Sequence, residues 1–349
     1  MVFPMKSLLL VPLLGLLSAE PAGSATPYAL GLPPLPAPQA ETVVRLGSKV
    51  FFDNTLSRDS HVACYSCHNP ATAFASNQST GRGVDFQLGT RNGPSLLNVS
   101  FLHTFMWDGR FNTLEESVLA PFTNAREMGM KNIDAVLDRL KADPVYQQAF
   151  KTAFPDEPEP IQASHLAQAL TAFLGTLNFA DSAFDRHQYG KDQNALSAAQ
   201  KRGLKVFQNQ GRCNACHTIG EKDALFTDEK FHLSGNFLST SLAFADIPVL
   251  KNKLQLAQNM PLGDAILTHS ELAEMGRFMV TRNPTDTAKF RTPSLRNVAV
   301  TFPYFHDGST SSLKIAVLQE AQIRENDLAP GDIDDLVAFL EGLTSRVVQ

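Results

Sequence analysis

Cys64-Tyr65-Ser66-Cys67-His68 and Cys213-Asn214-Ala215-Cys216-His217 are two copies of one five-residue word. The word is C-x-x-C-H, the attachment signature of c-type haem. The two cysteine sulfurs form thioethers with the haem vinyl groups. The covalent tether then holds the adjacent histidine under the iron as its proximal ligand. All four cysteines of the chain fall in these two words and none is left over. A zinc site could use four thiolates or a mixture of thiolates and imidazoles, and a thioredoxin-like redox pair uses C-x-x-C alone. Neither explains a histidine directly after each second cysteine. The words therefore predict two covalently bound haem c groups. Cys64 and Cys67 attach the first, Cys213 and Cys216 the second, and His68 and His217 ligate the irons.

The chain has 349 residues, enough for two domains of ordinary size. Hydrophobic residues make up 43% and charged residues 19%, a globular balance. The formal net charge is −5 with no basic run, so no nucleic-acid partner is expected. A weakly acidic surface suits a small basic electron donor. At the N-terminus Lys6 precedes an apolar run, Leu8 to Leu17, broken by Pro12 and Gly15. Small residues follow at Ser18-Ala19 and Gly23-Ser24-Ala25. This reads as a secretory signal over residues 1–25, cut after Ala19 or Ala25, in a chain with no membrane span. Export to the periplasm suits c-type haem, which is attached outside the cytoplasm. Residues 26–39 hold five prolines and read as an extended lead-in.

Other phrases repeat as well. Asn92-Gly93-Pro94-Ser95-Leu96-Leu97-Asn98-Val99 resembles Arg291-Thr292-Pro293-Ser294-Leu295-Arg296-Asn297-Val298. Each is followed by a D-G turn, at Asp108-Gly109 and Asp307-Gly308, and then by a leucine opening an apolar-periodic stretch, Leu114 or Leu313. All these pairs are 199 positions apart, whereas the haem words are 149 apart. The second half therefore holds an insert of about 50 residues between His217 and Arg291, including Phe231 to Pro261, to which the sequence assigns no role. Helical periodicity marks Glu41 to Asp53, Ile133 to Leu140, Leu166 to Phe179, Ser197 to Phe207 with Ser197 as N-cap, and Asp332 to Leu343. Strand signals are sparse, and a polar link, Asp181 to Asn194, falls between the halves. The expected fold is mainly α. Two cytochrome c-like domains, 40–185 and 186–349, are related by internal duplication and bind one haem each.

Five phrases then carry a family resemblance. They are Leu46-Gly47-x-x-x-Phe51-Phe52-Asp53, Arg91-Asn92-x-Pro94, Trp107-Asp108-Gly109-Arg110, Glu127-Met128 and Pro303-Tyr304-Phe305-His306-Asp307-Gly308. Together they resemble the bacterial dihaem cytochrome c peroxidase and MauG family over nearly the whole mature chain. The resemblance implies that the N-terminal haem is the site of hydrogen peroxide. The C-terminal haem relays electrons to it from a donor such as a small cytochrome c. Glu127 matches the acid/base residue, which takes one proton from bound peroxide and returns it to the outer oxygen so that water leaves. Outside this motif a lone glutamate is usually solvated. Trp107, the only tryptophan, matches the residue that passes electrons between the haems. A calcium ion is implied between the domains, held by the Asn92 side chain and the carbonyls of Thr301 and Pro303. His306 is placed near the second haem. Family members are often dimers, so the resemblance also allows a homodimer.

The chain departs from that pattern in three places. The family's peroxidases carry a distal histidine after the first haem word, which blocks the iron until the other haem is reduced. Here no histidine occurs between His68 and His103, and Ser79-Thr80-Gly81-Arg82 has arginine where that ligand would fall. The first haem is therefore predicted to be open to peroxide without reductive activation. A glutamine that supports the distal pocket falls at Ser117, leaving its hydrogen bond shortened or taken by water. The far-side ligand of the second haem, methionine in the peroxidases and tyrosine in MauG, falls at Glu320. Methionine raises a haem potential, and a hard carboxylate lowers it. The alternative is a solvent-facing Glu320, with Met260, Met275 or Met279 able to substitute. The leading reading is a peroxide reductase. A MauG-like enzyme, using peroxide and high-valent haem to oxidise a side chain on a partner protein, is the second. A plain electron-transfer dihaem cytochrome is the third, disfavoured by Glu127.

Overall fold

The computed structural model describes residues 30–236 and 247–345. The expected signal, residues 1–25, lies outside the described residues. The architecture grows from two close helix crossings. Val43, Leu46, Val50 and Phe51 line one face of the helix Glu41–Phe51, which packs on the helix Ala163–Leu174. Gly47 sits at the crossing, where a Cβ would come within 1.8 Å of the Ala169 carbonyl oxygen. Phe51 and Phe173 meet there at 5.1 Å. The second half has a matching pair. The helix Ala198–Gln208 packs on Pro330–Glu341, a Cβ on Gly203 would come within 1.9 Å of the Asp335 carbonyl oxygen, and Phe207 meets Phe339 at 5.1 Å. Each crossing anchors its own apolar core.

The turns repeat as well as the helices. Asn98 and Asn297 both take φ 60°, Met106 and Phe305 take 66° and 70°, and Gly109 and Gly308 take 66° and 62°. Isolated antiparallel bridges join Phe105 to Phe111 and Tyr304 to Thr310. The helices Leu114–Thr123 and Leu313–Ile323 follow, capped by the Thr113 and Ser312 side chains.

Helix ends differ from the periodicity in explicable ways. The apolar pattern of Leu166 to Phe179 outruns its helix, which ends at Leu174. Leu177 and Phe179 lie beyond the helix, held there by Asn98: its N–H donates to the Leu177 carbonyl at 2.8 Å and its Oδ1 accepts from Phe179 N–H at 2.8 Å. The closing helix starts at Pro330, before the expected Asp332, since proline suits a first helical turn. Ser197 caps its helix by accepting from Gln200 N–H, as expected. The polar link holds the helix Ala183–Gln188, whose Phe184 is fully buried in the second core. The proline-rich lead-in is pinned at Gly31, whose carbonyl accepts from Ala224 N–H at 3.0 Å.

The insert folds around a small core of its own that includes Ile266, Leu272, Met275 and Met279. Its strand Phe231–Leu233 pairs antiparallel with Lys289–Arg291. Among the described residues no helix is long and apolar enough to cross a membrane.

Candidate active site

Each haem word opens on a cavity. The first, about 190 Å³, is lined by Cys64, Cys67 and His68 on one side and by Glu127 and Arg110 elsewhere. Ala63 N–H donates to Ser66 Oγ and His68 N–H to the Cys64 carbonyl, which winds the word into one turn. His68 Nδ1 lies 3.0 Å from the Pro94 carbonyl and 3.3 Å from that of Phe74. A proton on Nδ1 satisfies these acceptors and leaves Nε2 with its lone pair free. Burial pushes the His68 pKa down, which favours that neutral form. The second cavity, about 240 Å³, is lined by Cys213, Cys216, His217 and Glu320. His217 Nδ1 meets the Phe226 carbonyl at 2.9 Å, and burial lowers its pKa too.

These donor sets fit covalent haem. Burial pushes the Cys64 and Cys67 thiols up to about 12 and Cys213 to about 11. A redox pair needs the opposite, a stabilised thiolate. Among the described residues, the clusters with metal-binding spacing are Cys216–Asp228–His232 and Glu274–His306–Asp307, so the four cysteines do not gather into a zinc site. Arg91, buried in the first cavity's wall, donates Nη2 to the Ala273 carbonyl, while its Nε and Nη1 have no partner. A buried guanidinium with unpaired donors calls for an anionic acceptor, and haem propionates are such groups.

Glu127 is half-buried and its carboxyl opens on the first cavity. Desolvation raises its pKa, Arg110 opposes this, and Asp264 adds to it. Arg110 is itself held by the fully buried Asp108, at 2.9 and 3.1 Å. Ser117 spends its hydroxyl on the Leu114 carbonyl at 2.8 Å. Arg82 is exposed and does not line the cavity.

A thin wall separates the cavities. Asn92, Pro94, Ser95, Leu102, Trp107 and Arg291 face both. Trp107 Nε1–H donates to the Asn92 carbonyl at 2.8 Å. Asn92 Nδ2 donates to the carbonyls of Gln78 and Ser79, turning Oδ1 away from them. Thr301 and Pro303 line the second cavity. His306 lines it as well, stacked on Phe290 at 3.8 Å with Nε2 at 3.0 Å from Glu274. Glu320 accepts from Gly235 N–H through Oε1 and from Arg324 Nη2 through Oε2, both at 2.7 Å. Met260, Met275 and Met279 pack in or against the insert's core and do not line this cavity.

A sequence profile described as di-haem cytochrome c peroxidase matches residues 41–193. The cytochrome c551 peroxidase of Pseudomonas aeruginosa is 37% identical over 311 residues, covering 88% of this chain and 80% of that one. The chain belongs to the bacterial dihaem cytochrome c peroxidase and MauG family. The methylamine utilization protein MauG of Methylorubrum extorquens is 33% identical, covering 89% and 82%. A crystal structure of a MauG-like protein associated with microbial copper homeostasis superposes with a TM-score of 0.73 at 28% identity, covering 91% of this chain and 95% of the other. This member of the family is thus a haem peroxidase, and membership implies two haem c groups. The quoted motifs led to Arg110, inside the W-D-G-R phrase, without revealing its clamp on Asp108. No sequence signal pointed to Leu267, which the insert sends into the lining of the first cavity.

Proposed function

We propose that the protein is a periplasmic dihaem peroxidase that reduces hydrogen peroxide to water with electrons from a small c-type cytochrome or similar donor. It acts without prior reduction of the second haem. One observation carries this reading. Glu127 shares the first cavity with Cys64, Cys67 and His68, and His68 is the one histidine among the described residues that line it. A haem attached there would supply the iron for peroxide reduction. Glu127 takes the proton of the inner peroxide oxygen and returns it to the outer one, so that water leaves. Arg110 keeps a positive charge beside that carboxyl, and Asp108 keeps Arg110 in place.

The halves, 40–185 and 186–349, are a diverged duplication with one haem each. Trp107 passes electrons across the wall that both cavities share. A calcium ion would be held by Asn92 Oδ1, on that wall, and by the carbonyls of Thr301 and Pro303, which line the second cavity. Glu320 would supply a carboxylate ligand to the second haem, since each oxygen keeps a lone pair beyond the hydrogen bond it accepts. The N-terminal segment exports the chain to the periplasm.

The test is rapid mixing of the ferric, haem-loaded protein with hydrogen peroxide, followed by turnover with a reduced cytochrome c. Reaction without prior reduction and sustained turnover are expected. Glu127→Gln is expected to slow the peroxide step by about 10²–10⁴-fold, and full reactivity in that variant would refute the assignment. A second reading, oxidation of a side chain on a partner protein as in MauG, is favoured by Glu320 and by a second cavity without methionine among its described lining residues. Peroxide reaction with negligible cytochrome turnover would select it.

A further inference from the structure

The insert of the second half reaches back to the first cavity. Its helix Leu262–Thr268 lies across the loop that carries Glu127. Asp264 Oδ1 accepts from Ala125 N–H at 2.9 Å, across 139 positions of sequence. Thr268 Oγ1 accepts from Arg126 Nε at 3.4 Å. The Ile266 carbonyl accepts from the Thr90 hydroxyl at 2.7 Å, which ties the same helix to the segment leading into Arg91. Between these ties Leu267, 5% exposed, enters the lining of the first cavity. A Cβ on Gly89 would stand at ordinary contact distance, 3.8 Å, from Leu267 Cδ2, so the leucine faces the loop opposite.

We propose that this helix is a wall of the peroxide site, in which Asp264 latches the Glu127 loop and Leu267 limits the size of the hydroperoxide admitted. The proposal rests on the reading of the first haem as the peroxide site. A branched apolar side chain on a helix tied at three points has little room to yield. Hydrogen peroxide has no carbon to clash with it, whereas an alkyl hydroperoxide must place its alkyl group somewhere in the same cavity. Size discrimination by an apolar wall is worth about 10–200-fold per methylene.

Leu267→Ala is expected to raise the rate with tert-butyl hydroperoxide, relative to hydrogen peroxide, by at least about tenfold. The affinity of the ferric haem for imidazole, relative to cyanide, should rise in parallel in optical titrations. Unchanged ratios in both measurements would overturn the wall. Should Leu267→Ala yield no folded protein, Leu267→Val is expected to move both ratios the same way by less, and no movement overturns the wall as well. For the latch, Asp264→Ala is expected to slow the hydrogen peroxide step, and Asp264→Asn, which keeps an oxygen acceptor for Ala125 N–H, to restore most of the rate. Equal losses in both variants would assign the effect to charge and overturn the latch. Wild-type protein inert to every hydroperoxide would remove the underlying reading, whereas the imidazole and cyanide titrations test the wall independently of turnover.

Discussion

Glu127 stands between opposing electrostatic pressures. Loss of water pushes its pKa up, Arg110 pulls it down, and Asp264 pushes it up again. A carboxylic acid with a raised pKa loses its basic form as pH falls through that raised value. The peroxide step is therefore expected to lose rate on the acid side at a pH above the ordinary glutamate value of 4.5, measured as a rapid-mixing pH profile. Arg110→Met removes the one opposing charge and should move that limb to higher pH. Asp264→Asn should move it to lower pH. Movement of both limbs in the same direction would show that packing, not charge, sets the titration. At the second haem, Glu320→Met would put a thioether where the carboxylate is proposed to ligate. The potential of that haem should rise by on the order of 100 mV in a redox titration. No change would mean that Glu320 stays on Arg324 and Gly235 and does not reach the iron.

The two glycine crossings decide how the helices sit. A methyl group at Gly47 or Gly203 would strike a backbone carbonyl, which cannot rotate out of the way. Gly47→Ala and Gly203→Ala are each expected to cost about 2–3 kcal/mol of stability in chemical denaturation, despite the better helix propensity of alanine. Gly331 is the control, because nothing lies within 4 Å of a Cβ there. Gly331→Ala should be neutral or stabilising by up to about 1 kcal/mol. The four helices of these crossings were legible, because each needs a 3.6-period apolar face and those faces are written in the chain. Their ends were less so. Leu177 and Phe179 are buried or half-buried like helical residues, yet they are held by Asn98, which lies far away in sequence. Cysteine words and the D-G turns revealed both cavities for a different reason, since their chemistry is local. The wall helix Leu262–Thr268 was not legible, because its role depends on where the insert docks and on no motif within it.

Polar contacts made at long range tie the lead-in to the second half. Arg296, in the repeated phrase of the second half, donates to both Asp185 oxygens at 2.9 Å and to the Ala224 and Gly31 carbonyls. One buried guanidinium thus holds the lead-in, the linking helix and the second core together. Arg296→Met would strand the Asp185 carboxylate, which keeps only the Ser182 donors. A loss of about 3–5 kcal/mol is expected in denaturant unfolding. The shared wall is where the two cavities come closest, since the same residues line both. Trp107 faces both cavities, and its indole N–H ends on the Asn92 carbonyl, an acceptor too weak a base to remove the proton. An electron taken from this ring would leave a protonated radical cation, which must be refilled quickly from the other side. Such a ring is better suited to passing an electron on than to storing the oxidising equivalent. Trp107→Phe keeps an aromatic ring in the wall and removes the easily oxidised indole. Turnover fed by a reduced cytochrome should then fall more than the first reaction with peroxide, because only the former needs electrons to cross the wall. Equal losses in both measurements would mean that Trp107 shapes the first cavity and does not carry the current between the haems.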